Sequence, residues 1–174
     1  MTYTIRPATS SDATALAELA AATFPDAAPP VIPVEAVQEF IATQLTEEAF
    51  GRYLRPGAWL ITVAQDSDGH LVGYSALDQQ EPQPEAVPGD AIYLSKFYLR
   101  PETRGSGLAA DLFTATQNLA RSLGKTTLHL ATHEDNLRAQ KFYEKSGFTL
   151  YGTRDFQITP EIIGHDYTYY LALN

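Results

Sequence analysis

Two kinds of hydrophobic spacing divide the chain into segments. Apolar residues recur every three to four positions over 10–24 and again over 108–123, which predicts two amphipathic helices. Residues 34–54 have similar spacing and are predicted as one further helical stretch. Apolar and polar residues instead alternate over 58–77, on both sides of Asp-Ser-Asp-Gly, which is a pattern typical of a β-hairpin.

Capping residues indicate where the helices begin and end. Ser10 or Ser11 is expected to cap the first helix, and the prolines in 24–33 are expected to end it. Asn136 is expected to cap a short helix that Gly147 ends in the left-handed conformation. The complete pattern predicts a strand, two helices, three strands, a helix, a strand, a helix and two strands, and therefore an α/β protein.

Composition limits the classes of protein that this order can represent. The 174 residues are 44% hydrophobic, which is enough for one core, so we expect one domain over 1–174. The absence of cysteine excludes disulfides and thiolate chemistry and suits a reducing compartment. The first residues do not resemble a basic leader, and no apolar stretch approaches the roughly 20 residues that a membrane span requires. We therefore expect a cytoplasmic protein.

Charge is distributed unevenly along the chain. The net charge of −9 argues against a nucleic-acid partner. Residues 96–145 contain eight basic and five acidic residues, so this stretch carries +3 and the remainder carries −12. Solvated faces of no special function would explain this partition, and so would an anionic ligand on the basic stretch with a cationic ligand elsewhere.

A glycine-rich turn lies in the middle of the basic stretch. Residues 104–109 read Arg-Gly-Ser-Gly-Leu-Ala and join a predicted strand to a predicted helix. Such a turn directs free backbone N–H groups and the positive end of the helix dipole at one point, which suits a phosphate. The sequence fits neither the nucleoside triphosphatase loop nor the dinucleotide fingerprint, and by itself it is equally compatible with a plain tight turn.

Two motifs around this turn resemble the GNAT superfamily of N-acetyltransferases, over residues 91–150 in all. The first is similar to [QR]-x-x-G-x-[GA], and the second, over 136–148, is similar to N-x-x-A-x-x-x-Y-x-x-x-G-F. They occur in the expected order, about thirty residues apart, and each falls on the expected element. The matching residues are Arg104, Gly107 and Ala109 in the first motif, and Asn136, Ala139, Tyr143, Gly147 and Phe148 in the second.

The resemblance implies a fold and a cosubstrate. The fold is an α/β acyltransferase of the GNAT type, with a mixed, mostly antiparallel twisted sheet flanked by helices. The cosubstrate is acetyl-CoA, with its pyrophosphate on the loop amides and its pantetheine arm along the preceding strand, which agrees with the preference of phosphate for amides. The implied cofactor-binding residues are Phe97, Tyr98, Leu99, Arg104, Gly105, Ser106, Gly107, Leu108, Ala109, Asn136 and Tyr143.

The resemblance also implies catalytic roles. Tyr143 corresponds to a tyrosine that serves relatives as a general acid or hydrogen-bond donor to the CoA sulfur, and the alternative is a core aromatic with a satisfied hydroxyl. Ser95 stands where many relatives have glutamate, and a serine could order a water that relays the proton instead of acting as the base directly. His129, His133 and Glu134 are other candidates for the base, although each is more simply an ordinary strand or surface residue.

The acceptor is the least determined part. A primary amine follows from the resemblance, and the acidic remainder of the chain favours a small cationic amine such as a polyamine. A protein or peptide N-acetyltransferase, a catalytically silent CoA-binding module and another phosphate-binding module remain alternatives. We expect no membrane partner and, because no grouping of His, Asp and Glu has metal-ligand spacing, no metal; a homodimer is left open.

Overall fold

One seven-stranded sheet organises the structure, a computed structural model that describes residues 2–174. Its strands are β1 (Thr4–Pro7), β2 (Trp59–Gln65), β3 (Leu71–Asp78), β4 (Ala91–Leu99), β5 (Thr127–His133), β6 (Thr149–Thr159) and β7 (Ile162–Ala172). Their spatial order is β1-β2-β3-β4-β5-β7-β6. All neighbours run antiparallel except β4 and β5, which run parallel. The predicted mixed, mostly antiparallel sheet is confirmed.

Helices cover both faces of this sheet. They are α1 (Ala13–Ala27), α2 (Val34–Gln44), α3 (Glu47–Tyr53), α4 (Leu108–Ser122) and α5 (Leu137–Lys145), with short 3₁₀ turns at Ser10–Asp12 and Pro101–Thr103. Side chains of α1 and α3 pack with Val63 and Tyr74 in one core cluster. Side chains of α4 and α5 pack with Leu77, Leu128 and Leu130 in another. No helix within residues 2–174 has the length and hydropathy that crossing a membrane requires.

The helical stretch predicted over 34–54 is in fact two helices. The chain breaks at Leu45, which is buried, and α3 begins after Thr46, whose Oγ1 accepts a hydrogen bond from the Ala49 amide at 3.1 Å. A threonine with free amides ahead of it is a strong start signal, and it competes here with continuation of α2. The break directs Phe50 into the core, where it is fully buried.

The first helix is anchored differently from the prediction. Ser10 and Ser11 lie inside the 3₁₀ turn, and the capping residues are Thr9 and Asp12, whose Oδ2 accepts from the Thr9 amide at 2.7 Å. Both oxygens of Asp12 also accept from Arg6 of β1, at 2.8 and 2.9 Å. These hydrogen bonds, that from Arg6 above all, lower the pKa of Asp12 to about 2.

The same helix also runs further than predicted. It passes through Pro25 and ends at Ala27, three residues beyond Phe24. A proline in the last turn removes one backbone N–H, but it does not prevent one more turn from forming there. The extension has a consequence for the site because it carries Asp26 to the side of the sheet where the glycine-rich turn lies.

The parallel neighbours β4 and β5 separate soon after they meet. Residues 91–93 of β4 pair with residues 127–129 of β5, and no further residues of the two strands pair. Both strands nevertheless continue, β4 to Leu99 and β5 to His133. A gap therefore opens in the middle of the sheet, and it leaves one edge of β4 without a neighbouring strand over 94–99.

Candidate active site

A cavity of about 250 Å³ lies at this gap, where α1, the glycine-rich turn and α5 meet. Ser95 and all the implied cofactor-binding residues line it except Ser106 and Leu108. Those that line it are Ser95, Phe97, Tyr98, Leu99, Arg104, Gly105, Gly107, Ala109, Asn136 and Tyr143. Residues more than forty positions apart in the sequence are thus brought to one site, although their roles stay predictions.

The glycine-rich turn presents unused hydrogen-bond donors. Within residues 2–174, the backbone amides of Gly105, Gly107 and Ala109 have no acceptor. Gly105 and Gly107 have φ of +78° and +86°, in the left-handed region that favours glycine, and a Cβ on either would meet nothing within 4 Å. The turn therefore presents free backbone N–H groups to open space at the start of α4, as an anion-binding site requires.

Ser106 and Leu108 hold this turn from within. The Ser106 hydroxyl donates to the Thr103 carbonyl at 2.6 Å and accepts from the Leu108 amide at 3.3 Å. The Leu108 side chain is buried and packs with Ala64 and Val72. The side chains of these two residues shape the turn rather than line the cavity.

Ser95 occupies an irregular position in β4. In the pairing with β3, Lys96 lies opposite Ala76 and Leu94 opposite Leu77, so Ser95 is an extra residue in a β-bulge. A bulge redirects a side chain out of the ordinary alternation, and here Ser95 lines the cavity. Its hydroxyl has no hydrogen-bond partner within the part of the chain that the structure describes.

Tyr143 extends from α5 into an aromatic cluster beside the cavity. Its ring centroid lies 5.3 Å from that of Phe148 and 6.4 Å from that of Tyr169. Burial raises the pKa of the Tyr143 hydroxyl well above that of an exposed tyrosine, so the group stays protonated near neutrality. A buried core tyrosine normally has a satisfied hydroxyl, but no residue in 2–174 hydrogen-bonds to this one.

Asn136 has a structural task at the same site. Its Oδ1 accepts from the Ala139 amide at 3.2 Å and caps α5, which confirms the predicted cap. The residue also lines the cavity. The cap fixes the start of the helix that carries Tyr143, so Asn136 positions that tyrosine whether or not it contacts a ligand.

The alternative candidates for the base do not line this cavity. His129 is buried, its Nε2 has no hydrogen-bond partner within residues 2–174, and burial lowers its pKa to about 4. His133 accepts the amide of Asp135 on its Nδ1 at 3.1 Å, at the end of β5. Glu134 also lies outside the lining residues. Of the residues proposed from the sequence for catalysis, Ser95 and Tyr143 alone line the cavity.

The structure adds two charged residues that the sequence did not indicate. Asp26, from the last turn of α1, and Arg138, from the first turn of α5, both line the cavity. The Asp26 carboxylate accepts hydrogen bonds from Arg104 and from Arg138, the latter at 3.1 Å. Nothing in the sequence indicated these contacts beyond the charges of the residues, because the prolines in 24–33 were expected to end α1 before Asp26.

Lys96, the neighbour of Ser95, has unusual surroundings. Its Nζ lies 5.9 Å from the ring centroid of Phe40 and 5.8 Å from that of Trp59, and Trp59 stacks on Tyr53 at 3.8 Å. It makes no ion pair with a carboxylate within residues 2–174. Burial, assisted by the charge of Arg154, lowers the pKa of Lys96 to about 8.

One group of potential metal ligands forms away from the cavity. Asp66, Asp68 and His70 lie in the turn between β2 and β3, with ligand atoms within 4.8 Å of one another. Asp66 Oδ1 already accepts the amides of Asp68 and His70, at 3.0 and 2.8 Å, which shapes the turn. The sequence spacing did not indicate this group, and the absence of a metal stays a prediction.

Comparison with known proteins identifies the family. Residues 14–148 match the acetyltransferase (GNAT) family, and the chain belongs to it. The family inferred from the two signatures is thereby confirmed, and with it the classification of the protein as an N-acetyltransferase. The match extends well before the two signatures and covers α1 to α3 as well.

Individual relatives differ in what they are named for. An uncharacterized N-acetyltransferase of Mycobacterium tuberculosis (strain ATCC 25618 / H37Rv) is 37% identical over 150 residues, which is 85% of this chain and 90% of that protein. An aminoglycoside N(6')-acetyltransferase of Klebsiella aerogenes is 29% identical, over 62% of this chain and 69% of that protein. The spermine/spermidine N(1)-acetyltransferase of Bacillus subtilis (strain 168) is 27% identical, over 51% of this chain and 59% of that protein.

The fold has a close counterpart among solved structures. The PaiA N-acetyltransferase of Thermoplasma acidophilum, solved in complex with coenzyme A, superimposes with a TM-score of 0.79. The superposition covers 99% of both chains at 19% sequence identity. At this level of identity the likeness concerns the fold, and it includes the complete sheet and its flanking helices.

The surroundings of Lys96 predict a pH dependence of stability. The folded pKa is about 8 and the ordinary value is 10.5, so between these values the unfolded chain binds the proton and the folded chain does not. The free energy of unfolding should therefore rise as pH increases from 8 to 10.5, by on the order of 2 kcal/mol.

Lys96→Met removes this titration and keeps an apolar chain between the two rings. Urea unfolding of the parent and the variant at pH 7.5 and pH 10 measures the effect. The parent should gain stability relative to the variant at the higher pH. An equal change in both proteins would show that Lys96 keeps an ordinary pKa.

Proposed function

We propose that this enzyme transfers the acetyl group of acetyl-CoA to a primary amine of a small molecule, with polycationic amines as the preferred class. The observation that carries the proposal is the cavity at the gap between β4 and β5. The free loop amides lie on one side of the cavity, next to the unpaired edge of β4. The Tyr143 hydroxyl, which has no hydrogen-bond partner within residues 2–174, belongs to a residue that lines the same cavity.

The residues present fit acetyl-CoA. The amides of Gly105, Gly107 and Ala109 would hold the pyrophosphate, and the guanidinium of Arg104 supplies charge beside them. The free edge of β4 over 94–99 would hydrogen-bond the amide-bearing pantetheine arm as an added strand does. The structural neighbour from Thermoplasma acidophilum supports this assignment, since it is known in complex with coenzyme A.

Two side chains have proposed roles in the chemistry. Acetyl-CoA supplies the activated acetyl group, and in the transfer the new bond joins that group to the amine nitrogen as the carbon–sulfur bond breaks. Tyr143 donates a proton to the departing sulfur, and near neutrality its hydroxyl carries the proton that this role needs. An acceptor that arrives protonated first loses its ammonium proton to solvent. A water ordered by Ser95 then passes the proton that the attacking amine releases to Tyr143, which so regains the proton it gave to the sulfur.

The acceptor class rests on charge and on relatives. The chain carries −9 overall, and its basic residues concentrate between 96 and 145, so the remaining surface attracts cations. The relatives from Klebsiella aerogenes and Bacillus subtilis are named for aminoglycosides and for spermine and spermidine, which are polycationic amines. A peptide acceptor remains the second candidate within the family, and a peptide belongs in the same assay.

Tyr143→Phe tests the proposed acid. The variant keeps the ring and its packing and removes one hydroxyl. Turnover should fall about 100-fold or more, because departure of the thiolate loses its proton donor, while the affinity for CoA should barely change. Thiol release and calorimetry measure the two quantities. Equal turnover in variant and parent would assign Tyr143 to the core.

The acceptor proposal predicts a salt-dependent preference. The kcat/KM for spermidine should exceed that for glutamate, and the ratio should decrease between low and high ionic strength because salt screens the acidic surface. A panel that includes an aminoglycoside and a short peptide, followed by thiol release, measures this. Preference for glutamate, or a cation preference that salt leaves unchanged, would contradict it. Binding of CoA without thiol release from any amine would instead indicate a silent module.

A further inference from the structure

We propose that Asp26 is an internal anion that occupies the phosphate-binding arginines of the free enzyme and competes there with the cofactor. The inference rests on the proposed function, since it concerns the same acetyl-CoA site. The last turn of α1 would then lower the affinity for the cofactor. Arg138 would join the residues that contact the cofactor's phosphates.

The three side chains come from three separate elements. Asp26 lies in the last turn of α1, Arg104 at the start of the glycine-rich turn and Arg138 in the first turn of α5. All three line the cavity. Asp26 Oδ2 accepts hydrogen bonds from the Nη2 atoms of both arginines, so a single oxygen serves two guanidinium groups.

Asp26 is the acidic partner of both arginines. Within residues 2–174, Arg104 and Arg138 form ion pairs with Asp26 alone. Two guanidinium groups that face one carboxylate exceed it in charge, and the free amides of Gly105 and Gly107 lie beside them. The group therefore has more donors than its own carboxylate can satisfy, and the excess is of the kind that a phosphate satisfies.

Exposure makes exchange of anions feasible. The side chains of Arg104, Arg138 and Asp26 are 52%, 56% and 42% exposed. Ion pairs at such exposure are worth little, because water solvates the partners well. A pyrophosphate brings more charge and more acceptor oxygens than a carboxylate, so it should displace Asp26 from the guanidinium groups.

The position of Asp26 at the end of a helix allows its side chain to leave the arginines without disturbing the core. Pro25 precedes it, and the proline-rich segment 28–33 connects it to α2. The ring of Phe24 stacks on Phe40 of α2 at 4.6 Å, so the core holds the helix just before the carboxylate. Release of Asp26 therefore requires movement of a side chain at a helix end and no rearrangement of the core.

Asp26→Asn tests the inference by calorimetric titration with coenzyme A at low salt. The variant keeps the shape and removes the charge that competes, so its affinity should exceed that of the parent by about threefold or more. Glu18→Gln is the matched control, since Glu18 is an exposed acid of the same helix that forms no ion pair with any residue in the described range 2–174. It should change the affinity by less than about 1.5-fold.

Two further variants keep the test decisive. Asp26→Ser removes the charge with a different side chain and should reproduce the gain. In the background of Arg138→Gln the gain from Asp26→Asn should shrink, because one of the two competing ion pairs is already absent. Equal or weaker binding by both Asp26 variants, with folding verified by thermal unfolding, would overturn the inference and leave Asp26 as a positioning residue for the arginines. Failure of the parent to bind coenzyme A would overturn the proposed function instead.

Discussion

The separation of β4 from β5 is the constraint on which the rest of the site depends. The two strands pair over residues 91–93 and 127–129 only, and in an otherwise continuous sheet this leaves backbone groups of β4 without a strand to bind. A parallel neighbour that diverges creates both a cavity and a free edge at one place. One 3₁₀ turn connects the far end of β4 to the glycine-rich turn, whose free amides lie at the mouth of the same opening.

Charge then determines how this opening would be used. An acidic protein needs a local excess of positive charge to hold a polyanion, and the site has it in Arg104 and Arg138. Without a ligand, both guanidinium groups pair with Asp26, which limits the repulsion between them. The same carboxylate then competes with the cofactor for the arginines, so an interaction that stabilises the empty site lowers its affinity for the cofactor.

Much of the fold and of the site could be predicted from the sequence, since helical spacing, glycines and two signatures are local signals. The bulge at Ser95 could not, because it depends on the register between β3 and β4. The break between α2 and α3 was missed because the local start signal at Thr46 lies inside a helical pattern. The ion pairs of Asp26 join residues 78 and 112 positions apart, and no sequence spacing indicates such contacts.

Coenzyme A titrations of two Gly107 variants test most directly whether the loop amides hold the cofactor's pyrophosphate. Gly107→Ala and Gly107→Glu both strain a backbone at φ +86°, but only the glutamate places negative charge above the amides. Calorimetry should show at least tenfold weaker binding by the glutamate variant than by the alanine variant. Equal affinities in two folded variants would place the phosphates elsewhere and contradict the account.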